Sequence, residues 1–403
     1  MFTKPFLIAV IVSLFTQVTY ADEYVWKVFA QPTAEKKYNA RKINELKVFN
    51  NRLYIGHGDY GINTGPTDVI SCDLQSGEAR TEFTVQEEAI TRYRVLDGKL
   101  VIPGVDSTES WDLGNLYVLE KDGWKKLRTV PKGVHVFDVI AWNGRWYASI
   151  GSSVPAGHQT KEAIRPGAVL SSSDQGKTWR WEYTTPHEKN RAYRVSSIVP
   201  FANRMYMFGY AYGLYPAGAI PEPYRKGLIK PYKVGDQNGY VVMKQSAFGP
   251  ADAIVSDGRE WNHLDFLPVK NVTFISAFTF GNSLCMNVTA GKHVVSTQHY
   301  NIRRDGWPSH IKTSLHAWDG KTSREIKLAY EQINDVLVKG GRLHLLLHAK
   351  NKYHIASSSD LEKWATLNLP HDWSEPKSIE THDNAILVGL NDGKIMRGQM
   401  AKR

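Results

Sequence analysis

The stretch SSSDQGKTW, from Ser171 to Trp179, joins two strand-like hydrophobic runs near the middle of the chain. Its Ser-x-Asp-x-Gly-x-Thr-Trp order suits a tight hairpin, because Asp174 can accept hydrogen bonds from backbone N–H groups and Gly176 can adopt a positive φ. We expect Trp179 to turn back and pack on the sheet. The stretch therefore predicts an outer turn of an antiparallel β-structure.

The same kind of unit recurs along the chain, as an apolar run, a short turn and a second apolar run. Two strand-like runs around a short turn predict a β-hairpin. The seven copies are LKVFNNRLYIG (Leu46–Gly56), RVLDGKLVIPG (Arg94–Gly104), VIAWNGRWYASIG (Val139–Gly151), SIVPFANRMYMFG (Ser197–Gly209), SAFTFGNSLCMNV (Ser276–Val288), DVLVKGGRLHLLL (Asp335–Leu347) and SIETHDNAILVGL (Ser378–Leu390).

The Ser171–Trp179 stretch resembles the Asp-box (BNR-type repeat) of sialidase-type β-propellers, and Ser256-Asp257-Gly258 and Ser358-x-Asp360 are degenerate versions. The resemblance implies an all-β fold. Seven hairpins predict a seven-bladed β-propeller, with six or eight blades as the alternatives. The last unit ends at KIMRGQM without an outer strand, so we expect EYVWKVFAQ (Glu23–Gln31) to close the ring from the N-terminus.

The N-terminus carries Lys4, an apolar run and Thr19-Tyr20-Ala21, which predicts a signal peptide over residues 1–21. Residues 22–403 then form a single propeller domain of a secreted or periplasmic protein, expected to be a monomer without a membrane span. The two cysteines, Cys72 and Cys285, exclude a disulfide framework. The formal net charge of +10 favours an anionic polysaccharide as partner over nucleic acid in an exported protein.

All the long connections fall on one face of the predicted propeller: Ser152–Gly167, Tyr210–Asn238 and Thr289–Lys312. Function usually resides in such loops, whereas the Asp-box turns lie on the opposite face. The starts of the inner strands also reach this face, and together with the loops they supply His, Tyr and Arg side chains. The candidates are His57, Arg94, His135, His158, Tyr193, Arg194, Tyr210 and Arg225.

This residue mix bears on the chemistry. Glycoside hydrolysis needs two carboxylates, or a Tyr–Glu pair in a sialidase, and no compelling carboxylate pair stands out. The segment Tyr93-Arg94-Val95-Leu96 also lacks the proline of a sialidase signature. β-Elimination on a uronate polymer instead needs a cation on the carboxylate, a base for the adjacent proton and an acid for the leaving oxygen. Arg, His and Tyr supply these parts without a required cofactor.

In the chain order of two His, one Tyr and one Arg, the sequence resembles the propeller-shaped ulvan lyases. The resemblance implies a polysaccharide lyase with His135, His158, Tyr210 and Arg225 as catalytic residues. Arg94, Arg194, His57 and Tyr193 are expected to bind the flanking substrate. The alternatives to the chosen tyrosine and arginine are Tyr193, Tyr212, Arg194 and Arg204.

Other interpretations remain open at this point. The protein can be a sialidase-like glycoside hydrolase, or a non-catalytic propeller that binds a glycan or a protein. His135 suits a core position, and Arg92, Arg94 and Arg194 suit a bracing role with a buried partner such as Asp138. Whether a metal ion is bound stays unknown, with Cys285, His293 and His299 as possible zinc ligands.

Overall fold

The computed structural model describes residues 24–59, 63–152, 166–185, 191–216, 233–234, 237–238, 240–246, 252–270, 272–290, 293–296 and 312–401 of the chain. These ranges contain strands and turns and no α-helix. The described residues accordingly include no helix that is long and apolar enough to cross a membrane. The predicted signal peptide lies outside them.

Seven antiparallel sheets follow one another as the blades of a β-propeller, which confirms the predicted fold. Each blade has an inner strand at the central channel and three further strands outward. Blade 1 contains β2 (Ile43–Phe49), β3 (Arg52–His57), β4 (Thr67–Asp73) and β5 (Ala79–Val85). Blade 2 contains β7 (Arg94–Leu96), β8 (Lys99–Pro103), β10 (Leu113–Glu120) and β11 (Gly123–Pro131). Blade 3 contains β12 (Gly133–Trp142), β13 (Arg145–Ser152), β14 (Gly167–Ser172) and β15 (Arg180–Thr184). The short strands β6 (Glu87–Ala89) and β9 (Val105–Ser107) extend the third sheet.

The remaining blades follow the same order. Blade 4 contains β16 (Arg191–Phe201), β17 (Arg204–Pro216), β21 (Ala253–Ser256) and β22 (Trp261–Leu264). Blade 5 contains β23 (Val272–Phe280), β24 (Ser283–Ala290), β26 (Lys312–Trp318) and β27 (Ser323–Ile326). Blade 6 contains β28 (Gln332–Lys339), β29 (Arg342–Ala349), β30 (Lys352–Ser358) and β31 (Ala365–Asn368). Blade 7 contains β32 (Pro376–His382), β33 (Ala385–Leu390), β34 (Ile395–Met400) and β1 (Tyr24–Ala30). The insertions of blades 4 and 5 add the ribbon β18 (Lys233–Val234) and β19 (Gln237–Asn238), together with β20 (Tyr240–Ser246) and β25 (His293–Ser296).

The N-terminal strand closes the ring as predicted. β1 pairs antiparallel with β34, from Tyr24 opposite Met400 to Val28 opposite Met396. Trp26 packs edge-on against Trp373, with ring centroids 4.9 Å apart. Because both ends of the chain share one blade, β1 supplies the fourth, outermost strand of blade 7 and holds the ring closed.

The hydrophobic core consists of seven clusters of buried residues, and each cluster joins two neighbouring blades. The cluster between blades 7 and 1, for example, brings Leu387 and Ile395 against Leu53 and Ile55. Each inner hairpin can bury its apolar side chains only against the next blade, so the stability of the ring depends on complete closure.

The SSSDQGKTW turn has the predicted geometry. Asp174 accepts hydrogen bonds from the backbone N–H of Thr178 at 2.9 Å and from its hydroxyl at 2.6 Å. Gly176 has a φ of 84°. The indole of Trp179 packs against the core between blades 2 and 3, and its Nε1 donates to Thr129 Oγ1 at 3.2 Å. The turn therefore fastens blade 3 to blade 2.

Polar side chains form a ring in the central channel. The position four residues before the end of each inner strand is polar in every blade, and in blade 2 it falls just before β7: Glu45, Arg92, Asp138, Ser197, Ser276, Asp335 and Ser378. Three of these positions are carboxylates and one is an arginine. The inner strands thus carry buried charge where a sequence pattern alone would predict simple core.

Candidate functional site

The long connections of blades 4 and 5 pair with each other on one face. β20 pairs with the far half of β17, and β25 pairs in turn with β20. The sheet of blade 4 is thereby extended beyond the propeller body on the face where the inner strands begin. This is the face that the loop lengths predict to be functional.

The connection β9 of blade 2 reaches across to blade 3 on the same face. Val105 pairs with His135 at the start of the inner strand β12, and the backbone N–H of Val136 donates to the Gly104 oxygen at 2.8 Å. Asp106, the next residue, has a φ of 65°, a left-handed conformation that Asp tolerates better than most residues. This backbone arrangement places Asp106 beside His135.

Asp106 and His135 form the titratable centre of the site. Asp106 Oδ1 lies 4.0 Å from His135 Nδ1, and both side chains are largely buried. Burial and, next, the nearby Glu88 raise the pKa of Asp106 to about 6, although Arg194 opposes the shift. A carboxyl group that titrates near neutral pH beside an imidazole suits proton transfer.

A row of half-buried aromatic rings continues from His135 across blades 3 to 5. His135 stacks on Phe137 with centroids 5.4 Å apart, Phe137 meets Tyr210 edge-on at 6.5 Å, and Tyr210 lies 5.7 Å from Phe274. Such a row gives the site an apolar floor next to its polar groups, which is typical of small-molecule and sugar sites.

Arg194 lies directly opposite Tyr210 in the pairing of β16 with β17, so the two side chains emerge on the same side of the sheet. Arg194 is only 8% exposed, and its Nη1 donates to the Tyr193 oxygen at 3.0 Å. The side chain passes over Gly151, where an added Cβ would lie 2.5 Å from Arg194 Cδ. The glycine therefore makes room for a buried cation under the site.

The structure thus brings three predicted residues together: His135, Tyr210 and Arg194. His158 and Arg225 lie outside the described residues, as do the side chains of Tyr212 and of the predicted zinc ligands His293 and His299. Phe137, Phe274 and Asp106 were not predicted as site residues from the sequence. The sequence feature that could have indicated them is their position: Phe137 and Phe274 follow the start of an inner strand, and Asp106 follows Gly104-Val105.

Arg94 forms a bidentate ion pair with Asp138 in the channel. Its Nε and Nη2 donate to the two oxygens of Asp138 at 2.7 and 2.8 Å, and Arg92 Nη1 lies 2.7 Å from the same carboxylate. Complete burial of Asp138 opposes its ionisation, yet the two guanidinium groups hold its pKa below the ordinary value. These ion pairs agree with the alternative interpretation of the two arginines as braces, whereas substrate binding by Arg94 stays a prediction.

His57 and Tyr193 lie in the interior. The ring nitrogens of His57 contact the backbone oxygens of Ala40 at 3.0 Å and of Asp68 at 2.9 Å. Tyr193 is buried in the core between blades 3 and 4. Neither side chain offers a free surface to a polymer, so their placement favours structural roles over the predicted contact with substrate.

No group of three or more His, Cys, Asp or Glu side chains suited to a metal ion occurs among the described residues. Cys285 lies in the core between blades 5 and 6, and its burial raises the pKa of the thiol to about 12. A thiol that stays protonated is a poor zinc ligand. This environment disfavours Cys285 as a member of the predicted zinc set.

No protein-family model matches this chain, and no curated protein matches it. Among solved structures, an ulvan lyase described as a new family of polysaccharide lyase has a TM-score of 0.52 and 13% identity, over 93% of this chain and 95% of that chain. A second structure of an ulvan lyase, bound to -[GlcA(1-4)Rha3S]-, has a TM-score of 0.51 and 14% identity over the same shares. An inactive variant of virginiamycin B lyase from Staphylococcus aureus has a TM-score of 0.53 and 10% identity, over 94% and 100% of the two chains. At these identities the likeness shows the β-propeller fold and nothing more specific.

Proposed function

We propose that this protein is a secreted polysaccharide lyase that cleaves an anionic, uronate-containing glycan by β-elimination. The observation that carries the proposal is the convergence of Asp106, His135, Arg194 and Tyr210 on one face of the propeller. The substrate class includes sulfated polymers such as the glucuronic acid–sulfated rhamnose chain bound by the ulvan lyase among the structural neighbours.

The roles follow from the chemistry of elimination. A base removes the proton at C5 of the uronate, the C4–O bond breaks, and an acid protonates the leaving oxygen, so that a C4=C5 double bond remains. His135 and Tyr210 divide the base and acid roles. Asp106 faces Nδ1 of His135, and in this assignment the carboxylate orients the imidazole for proton transfer once that contact tightens around substrate.

Neutralising the uronate carboxylate acidifies the C5 proton, and this role falls to an arginine. Arg225 is assigned to it because a guanidinium can bind both carboxylate oxygens. Arg194, which lies opposite Tyr210, adds positive potential from beneath the site. His158 helps to orient the sugar in this assignment.

The proposal extends to the organisation of the protein. Residues 1–21 act as a cleaved signal peptide, residues 22–403 form one propeller of the Asp-box class, and the mature protein acts as a monomer outside the cytoplasm. The intact mass of the exported protein tests this part, because a retained Met1 contradicts it.

A glycoside hydrolase is the second candidate, because Asp106 and Glu88 interact electrostatically and Asp106 has the raised pKa of a general acid. Incubation with a panel of acidic polysaccharides separates the two. Elimination produces the ultraviolet absorbance of a conjugated unsaturated uronate, whereas hydrolysis produces new reducing ends without it. Binding without either signal supports a non-catalytic propeller.

A further inference from the structure

A rigid loop of blade 2 presents a tryptophan to solvent on the same face as the candidate site. Trp111 lies between β9 and β10 and is 44% exposed. Its indole Nε1 donates to the Ser107 oxygen at 3.2 Å, which holds the side chain to its own loop. Large aromatic side chains normally bury most of their surface, so a well-held exposed one calls for an explanation.

The loop around Trp111 is fixed by charged hydrogen bonds. Glu109 accepts from Asn115 at 3.3 Å, from Arg128 at 3.2 Å and from Lys126. Arg128 also donates to the backbone oxygen and hydroxyl of Ser110, at 3.0 and 2.6 Å. The exposure of the indole therefore does not result from a loose loop, and a ligand bound there finds the ring already oriented.

The loop also adjoins the candidate site. The backbone N–H of Lys132 donates to the Asp112 oxygen at 2.9 Å, and Lys132 precedes His135 by three residues in the chain. Asp106, which faces His135, and Trp111 belong to the same connection between β8 and β10. Trp111 thus lies in the same connection of blade 2 as the Asp106 side of the titratable centre.

The surroundings of Trp111 suit a charged sugar better than a protein. Lys126 and Arg128 share one carboxylate partner, Glu109. With Asp112 and the adjoining Lys132 included, three cations stand against two carboxylates, so the cluster keeps one net positive charge. Leu113 is the one neighbouring large apolar side chain of this loop that is also exposed, and the two residues are far too few for a stable protein interface. An indole face beside cations and hydroxyls matches a pyranose ring that carries an acidic group.

We propose that Trp111, with Arg128 and Lys126 beside it, forms a stacking subsite for one sugar ring of an acidic polysaccharide, at a distance from the bond that is cleaved. The subsite deepens the proposed function and rests on it for the identity of the polymer. It binds a distal sugar and so raises the affinity for long chains without taking part in the elimination.

The test compares Trp111→Ala with Trp181→Ala, since Trp181 is 42% exposed on the outer strand of blade 3 and serves as a matched control. Affinity gel electrophoresis in ulvan, polygalacturonate, alginate or hyaluronan measures binding without turnover, and neutral dextran gives the background. For at least one acidic polymer we expect Trp111→Ala to weaken retardation about tenfold, the effect of losing one aromatic anchor. We expect Trp111→Phe to keep most of the binding and Trp181→Ala to match the wild type.

The kinetic readout separates this proposal from the proposed function. On a long polymer Trp111→Ala should raise KM and leave kcat unchanged, whereas a tetrasaccharide should show no difference. If binding depends on Trp111 but no unsaturated product forms, the subsite is supported and the proposed lyase activity is ruled out. Unsaturated product with an unaltered Trp111→Ala variant removes the subsite and keeps the lyase, and a wild type that no acidic polymer retards overturns the subsite.

Discussion

Asp106 Oδ1 lies 4.0 Å from His135 Nδ1, although the two residues belong to the loop of one blade and the inner strand of the next. The raised pKa of Asp106, about 6, means that the carboxyl group ionises within the working range of an enzyme. Only the ionised form can orient a neutral imidazole by accepting its Nδ1 proton. The pair therefore makes the proposed activity pH-dependent.

Asp106→Asn should lower kcat/KM about tenfold or more, the scale of a group that supports proton transfer. The wild type should gain activity as pH rises through about 6, because Asp106 loses its proton there. The variant should lose this limb of the profile. The pH dependence of product absorbance measures both effects.

The matched control is Asp112→Asn, which removes an exposed carboxylate from the same loop. Its carboxylate receives a weak 3.5 Å contact from the Ser110 hydroxyl, so the wild-type profile should persist. An unchanged pH profile in Asp106→Asn would show that another group controls the ionisation.

Tyr210→Phe should reduce turnover about a hundredfold while substrate binding changes little, because the variant loses a proton donor and keeps the ring. The ring contacts to Phe137 and Phe274 need no hydroxyl, so the aromatic row should stay intact. Stopped assays of turnover and gel retardation measure the two quantities separately.

Tyr206→Phe is the control on the same strand, since Tyr206 is buried in the core between blades 4 and 5. It should keep its turnover. A Tyr210→Phe protein with normal turnover would redirect the search to Tyr193 or Tyr212.

Much of this fold was predictable from the sequence, and the reason is local. Alternating apolar runs and turn residues such as those around Gly176 determine a hairpin within about ten residues. The polar ring was not predictable in detail, because Glu45 and Asp138 are compatible with an inner strand only when distant partners such as Arg92 and Arg94 reach them. The contact of Asp106 with His135 likewise depends on a left-handed residue and on a strand pairing between blades, neither of which leaves a sequence pattern.

Gly398→Val should destabilise the closing blade. Trp26 lies opposite Gly398, and a Cβ at position 398 would come within 2.5 Å of Trp26 Cζ3. Overpacking of this kind costs about 1–3 kcal/mol. Urea unfolding of Gly398→Val, Trp26→Ala and the double variant forms a cycle. Because removing the indole makes room for valine, the double variant should be more stable than additivity predicts by about 1 kcal/mol or more. Strict additivity would mean that Trp26 simply moves aside.

Asp174→Ala should lower the stability of the propeller and leave turnover per folded molecule unchanged. The variant loses the hydrogen bonds to Thr178 N, Thr178 Oγ1 and Ser172 Oγ, and a cap of this kind contributes about 1–2 kcal/mol. Asp122→Ala is the control, because Asp122 in a neighbouring outer turn makes an exposed ion pair with Lys125. Equal melting temperatures for the two variants would contradict a fastening role for the turn.

The hydrogen bonds to Asp174 also predict how its contribution to stability changes at acidic pH. The hydroxyl and N–H of Thr178 lower the pKa of Asp174 to about 2, so its contribution to stability is complete above the ordinary carboxyl pKa near 4 and is lost as pH falls toward about 2. The melting difference between wild type and Asp174→Ala should therefore shrink over this interval. A difference that stays constant down to the acid limit would show that the carboxylate form is not required.

Glu45→Gln should stabilise the protein at alkaline pH. Glu45 lies in the channel ring, where burial first and Asp335 second raise its pKa despite the opposing charges of Arg92 and Arg94. A carboxyl group whose folded pKa is raised contributes its full stability below the ordinary value near 4, and that contribution is lost as pH rises through the folded value. The wild type should therefore lose stability from weakly acidic to alkaline pH, whereas the uncharged glutamine should flatten this decline.

Melting temperatures at about pH 5 and about pH 9 should coincide for the two proteins at the lower pH and separate at the higher, with Glu35→Gln as the exposed control. If Glu45→Gln is the less stable protein at alkaline pH, the ionised carboxylate is instead held by Arg92 and Arg94 and braces the ring.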